Sequence, residues 1–171
     1  MPIGNCPILR KIMSPRIFAP FLDLNSTPDI VEEFKIDKGW RFAIPRKALF
    51  GELDALGHLN HTTFLRYFED ARIGYLMSHG LPKPDNQSLG CVLAHLEANY
   101  HQPVFYDERQ IITIRTGKIG NTSLLLEYGA WSATKGLCCS ASTLMVLVLI
   151  STGQKKSVPE SMKISISDFE D

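Results

Sequence analysis

The chain has 171 residues and a mass of 19.2 kDa, enough for one domain with a core of its own. Its 18 Lys and Arg residues balance 18 Asp and Glu residues. That balance excludes a protein that works mainly by gripping phosphate backbones or anionic membrane surfaces. The longest apolar run, Leu144 to Ile150, has the length of a buried strand and is far too short for a membrane-spanning helix.

Residues 1–35 hold five of the ten prolines: Pro2, Pro7, Pro15, Pro20 and Pro28. Such spacing prevents a long helix and removes strand donors, so the stretch reads as an irregular extension, dispensable for the fold. Arg10, Lys11 and Arg16, with no acid before Asp23, give it a faint likeness to an organelle-targeting leader on an otherwise cytoplasmic protein. Trp40 to Ala48 reads as a strand carrying Phe42 and Ile44. A turn-rich loop, Phe50 to Asn60, leads into a helix from about 61 to 79, where Phe64, Phe68, Ala71 and Tyr75 recur at helical spacing. Asn60 or Thr62 serves as its N-cap and Gly80 as its stop. Gly74 inside it signals the close approach of another backbone.

Past Pro84 the period switches to two. Strands are expected over Leu89–Tyr100, Arg109–Ile119, Ser123–Thr134 and Leu137–Ile150, with a corner over Pro103–Glu108 and a hairpin at Gly120-Asn121. The order strand, helix, four strands predicts an α+β fold, a curved antiparallel sheet around one long helix. The expected division is an extension over 1–35, one domain over 36–160 and a frayed polar tail over 161–171. The four cysteines, Cys6, Cys91, Cys138 and Cys139, contain no CxxC pair and read as reduced thiols.

The densest polar cluster, Glu52, Asp54, His58, Asn60 and His61, lies between the first strand and the long helix. A helix start presents unpaired N–H groups and positive dipole charge, which stabilise an oxyanion. A carboxylate just upstream can act as base or nucleophile on the same carbonyl. The parts for acyl transfer are therefore adjacent: Asp54 for attack, and the amides near His61 for the developing charge. The same Gly-His-x-Asn pattern is also ordinary turn and cap chemistry. No metal is expected, since His79, His95 and His101 are scattered and no third histidine accompanies His58 and His61.

The run Asp54-Ala55-Leu56-Gly57-His58-Leu59-Asn60-His61, followed by Phe64-Leu65-Arg66-Tyr67-Phe68-Glu69-Asp70-Ala71-Arg72, resembles the 4-hydroxybenzoyl-CoA thioesterase-like family of hotdog-fold acyl-CoA thioesterases. The stretch from Ala98 to Glu108 resembles that family's second landmark, a Tyr-x-x-Pro corner followed by an acidic pair. The resemblance spans roughly residues 40 to 158 and implies the hotdog fold. It further implies hydrolysis of an acyl-CoA or acyl-carrier-protein thioester without a cofactor. Asp54 corresponds to the catalytic aspartate, and His61 sits where a backbone N–H polarises the thioester carbonyl. Gly57, His58 and Asn60 match the substrate-site pattern, while Phe64 stands where many members have tyrosine. A second branch uses a glutamate on the helix, which makes Glu69 the lower-ranked catalytic candidate. Its plainer role is a helix-face ion pair with Arg66 or Arg72. The family also implies edge-to-edge pairing of two sheets into a homodimer, or a homotetramer of such pairs. Two alternatives stay open: dehydration of a hydroxyacyl thioester, and silent acyl-CoA binding.

Overall fold

The computed structural model describes residues 21–82 and 88–171. The chain runs β1 (Leu22–Asp23), α1 (Pro28–Phe34), β2 (Phe42–Lys47), α2 (His61–Ser78), β3 (Leu89–Tyr100), β4 (Arg109–Ile119), β5 (Ser123–Ser132), β6 (Gly136–Leu149) and α3 (Glu160–Glu170). The six strands form one antiparallel sheet in the order β1-β2-β4-β5-β6-β3. Hairpins join β4 to β5 and β5 to β6, as the turn signals predict. The Gly120 N–H donates to Ser123 O at 2.8 Å to close the first of them.

α2 forms because its apolar side chains return every third or fourth residue. Phe64, Tyr67, Phe68, Ala71, Tyr75 and Leu76 are all buried. They pack on the inward residues of the sheet, Phe42, Ile44, Ile112, Ile114, Leu124, Leu126, Tyr128, Met145 and Leu147. Alternation along each strand supplies that inner face. Asn60 caps the helix by accepting from the Thr62 N–H at 2.9 Å. Gly80 ends it with φ +92°, a conformation that costs other residues more. Gly74 meets a side chain rather than the backbone expected there: a Cβ at Gly74 would lie 3.4 Å from the Phe42 ring.

Two expectations need correction. Residues 1–20 lie outside the described residues, but the rest of the supposed irregular extension is ordered. β1 pairs with β2, and α1 starts on Pro28, a position where proline's missing N–H costs nothing. Leu24, Phe34 and Ile36 then bury against Ala43, Ile111 and Trp131 on the outer face of the sheet. The prolines forbid a long helix and start a short one. The polar tail is also a helix: α3 places Met162, Ile166 and Phe169 on one side, and the first two are buried. Its serines and charges mask an i, i+4, i+7 stripe. Cys91, Cys138 and Cys139 are free thiols, and Cys6 lies outside the described residues. Among the described residues, no helix is long and apolar enough to cross a membrane.

Candidate active site

The loop between β2 and α2 is fixed by backbone and carboxylate together. Phe50–Glu52 form a single 3-10 turn, capped by Glu52, whose carboxylate accepts from the Leu49 N–H at 3.0 Å. The Tyr67 hydroxyl donates to the same carboxylate at 2.6 Å, and Arg66 donates at 3.2 Å. Burial and this bond to an anion both hold the Tyr67 hydroxyl in its protonated form, with burial the larger cause. Glu52 O accepts from the Asn60 N–H at 2.9 Å, so the two ends of the loop are tied. Glu52 is thus the anchor of the loop.

At the tip the chain turns back on itself. The Gly57 N–H donates to Asp54 O at 3.0 Å, and Gly57 takes φ +76°. The Asp54 Oδ1 atom accepts from the Leu56 N–H at 2.8 Å and the His58 N–H at 3.2 Å. These bonds aim the carboxylate and leave Oδ2 without a partner among the described residues. The Asn60 side chain serves Thr62, through both its N–H and its hydroxyl. The cap therefore passes over the first helical amide, and the His61 N–H has no acceptor among the described residues. A free carboxylate oxygen and a free helix-start amide belong to the same short loop.

Asp54 and His61 both line a cavity of about 310 Å³. It is lined by Asp54, His58, Leu59, His61 and Phe64 on one side and by Tyr100 to Val104 on the other. The Leu59 N–H donates to Val104 O at 2.7 Å, and His58 bridges to Phe105, so loop and corner form one wall. The corner is held from behind by Glu108. Its carboxylate accepts from Lys135 at 2.8 Å, from the Phe105 N–H at 3.0 Å and from the Ser132 hydroxyl. Burial alone would raise the Glu108 carboxyl, but these donors outweigh it and hold the group below its ordinary value. Tyr100 has its hydroxyl pushed up by burial, and its ring meets Phe64 at 6.0 Å and His61 at 6.4 Å.

The family model described as the thioesterase-like superfamily matches residues 48–166, more than half of the chain. The chain belongs to this superfamily. It is 29% identical over 114 residues to the uncharacterized protein YsmA of Bacillus subtilis, covering 67% of this chain and 77% of that one. A crystal structure of a thioesterase-superfamily protein from Jannaschia superposes with TM-score 0.80 at 24% identity, covering 90% of this chain and 95% of that one. A Thermus thermophilus thioesterase, crystallised with coenzyme A and zinc, gives TM-score 0.67 at 25% identity, covering 78% and 97%. The architecture is the hotdog fold.

Of the residues the sequence marks, this superfamily member brings Asp54, His58 and His61 to the cavity. Gly57 and Asn60 shape the turn and the cap and do not line it. Glu69 lies elsewhere. It pairs with Arg72 at 3.0 Å and lines a separate cavity of about 330 Å³ with Ile73, Met77, Leu81, Cys91 and Leu93. Sequence reasoning missed Tyr100, His101 and Gln102 as lining residues. His101 Nε2 is hydrogen-bonded to the Ser140 hydroxyl at 2.8 Å. Their signal was the corner motif, which read as a mark of the fold and not as part of the site. Among the described residues, no three His, Cys, Asp or Glu side chains converge as a metal-ligand set.

A larger depression, about 740 Å³, lies at the other end of α2. Arg41 there is committed to Asp23 and to Phe169 O, and His79 to Ser165.

Proposed function

We propose that the protein hydrolyses an acyl-CoA thioester to the free acid and thiol at the Asp54 cavity. The observation that carries this reading is that Asp54 and His61 line one cavity, with the Asp54 Oδ2 and the His61 N–H unpartnered among the described residues. The thioester carbonyl accepts from the His61 N–H at the positive end of α2. Asp54 either attacks that carbonyl or takes a proton from attacking water. His58, Phe64 and Tyr100 border the acyl group. An acyl group on a carrier protein presents the same thioester and is the second substrate form to test. Superfamily membership and solved thioesterases of the same fold support the reaction class.

The assay is release of free thiol from acyl-CoA, with Asp54→Asn in parallel. Turnover by the wild type and a fall of at least ~100-fold in the variant is the expected result. Binding of acyl-CoA without thiol release would favour the silent or dehydratase reading.

We also propose a homodimer through β3. Among the described residues this strand pairs only with β6, and Val92 and Leu93 on it are 47% and 49% exposed. An open edge of twelve residues needs a cover. Two such dimers pair again if the molecule is a tetramer. Light scattering that shows a stable monomer at micromolar concentration overturns the pairing.

A further inference from the structure

One wall of the Asp54 cavity is held from outside the loop. Lys135 lies in the turn between β5 and β6, far from Asp54 in sequence. Its Nζ donates to Pro103 O at 2.7 Å and to the two Glu108 oxygens at 2.8 and 3.1 Å. An ammonium has three hydrogens, and these contacts use all three. The same Nζ lies 4.5 Å from the centre of the Phe105 ring. Just past the turn, Cys138 O accepts from the His101 N–H at 2.8 Å and the Gln102 N–H at 3.1 Å. The turn and the start of β6 together grip the corner from His101 to Phe105.

The grip reaches Asp54 in short steps. The Leu59 N–H donates to Val104 O, and His58 meets Phe105 through a backbone bridge and ring to ring at 5.1 Å. The His58 N–H donates to Asp54 Oδ1 at 3.2 Å, and the Asp54 N–H donates to His58 O at 2.8 Å. A shift of Phe105 therefore carries His58 and the Asp54 carboxylate with it.

Stability alone does not account for Lys135. Among the described residues, its pair with Glu108 is the one ion pair in which both side chains are less than a quarter exposed, at 24% and 15%. Desolvation offsets much of the attraction in such a pair, and apolar residues of similar volume often serve a fold as well. What apolar residues lack is a donor for Pro103 O and a cation over Phe105.

We propose that Lys135 is a positioning residue: through Pro103 and Phe105 it sets where His58, and with it the Asp54 carboxylate, stands in the cavity. The inference rests on the thioester reading of that cavity and adds a residue that does not line it.

The test pairs Lys135→Met with the double variant Glu108→Gln, Lys135→Met. The single variant leaves the Glu108 charge without its cation and should lower the melting temperature. The double variant carries no such charge and should recover most of that loss. Thiol release from acyl-CoA, measured well below both melting temperatures, separates position from stability. In both variants kcat should fall about 10- to 100-fold with KM little changed, the scale of a small misplacement of a reacting group. The nuclear Overhauser contact between the His58 and Phe105 rings reads the same geometry without turnover and should weaken in both. Its weakening supports the clamp even if the wild type releases no thiol, in which case only the thioesterase reading fails. A double variant that regains wild-type kcat with its melting temperature, a loss confined to KM, or an unchanged ring contact would each overturn it.

Discussion

The two ends of α2 carry similar polar chemistry and use it for opposite purposes. At the N-terminal end, Asp54 Oδ2 and the His61 N–H stay open, and rings stand exposed around them. At the C-terminal end, α3 packs against the helix and most of the polar groups satisfy one another. The Tyr75 hydroxyl donates to Glu170 and lies 2.9 Å from the Thr116 hydroxyl, while the Thr116 N–H donates to Glu170 at 3.1 Å. Arg41 donates to Phe169 O at 2.6 Å, and His79 Nδ1 is bonded to Ser165. Polar groups paired among themselves hold an element in place, whereas polar groups left open on a rigid support await a ligand. Variants at the α3 end should therefore move stability and spare turnover. Variants at the Asp54 end should do the reverse.

The largest stability effect at the α3 end is expected from Met162→Ala, which empties a site 1% exposed under the helix. It should cost about 2–5 kcal/mol in denaturant unfolding with kcat unchanged, and a matching loss of kcat would break the division between the ends. Tyr75→Phe removes one hydroxyl from the Glu170 cluster and should cost about 1–3 kcal/mol, because a buried acceptor is left short of a donor. Burial holds the Tyr75 hydroxyl in its protonated form, so this bond persists across the neutral range.

His79 gives the smallest and most specific effect. Burial lowers its pKa, with Ser165 acting the other way, and its Nε2 has no partner among the described residues. Lowered basicity means that the unfolded chain binds the proton more readily than the fold. Stability is then complete above about pH 6.5 and declines as the pH falls from there through the depressed value. Arg41 and Asp168 line the same depression as His79, and Tyr75 contributes no charge. The melting temperature of the wild type should fall more between pH 7.5 and 5.5 than that of His79→Gln, and equal slopes would remove His79 from the account.

The contrast between the ends also explains what the sequence could reveal. The Asp54 end was legible because its motif is local: turn, glycine, cap and carboxylate lie within eight residues. The strands were legible because alternation and hairpin glycines are local too. α1 and α3 were not, since short helices owe their stability to what they pack on. Leu24 and Phe34 find Trp131, and Phe169 finds Arg41 and His79, across ninety residues or more. Tyr100 and His101 belong to the corner motif, and the pairing of His58 with Phe105 and of Leu59 with Val104 brings them to Asp54.

The central claim is that chemistry belongs to the open end of α2 and to Asp54 within it. Steady-state thiol release by Asp54→Asn and Glu69→Gln, measured beside the wild type at matched melting temperature, tests it most directly. The expected result is a kcat at least ~100-fold lower for Asp54→Asn, with Glu69→Gln close to wild type, since its carboxylate is exposed, paired with Arg72 and outside the cavity. A silent Glu69→Gln beside an active Asp54→Asn would move the chemistry to the other cavity and contradict the assignment.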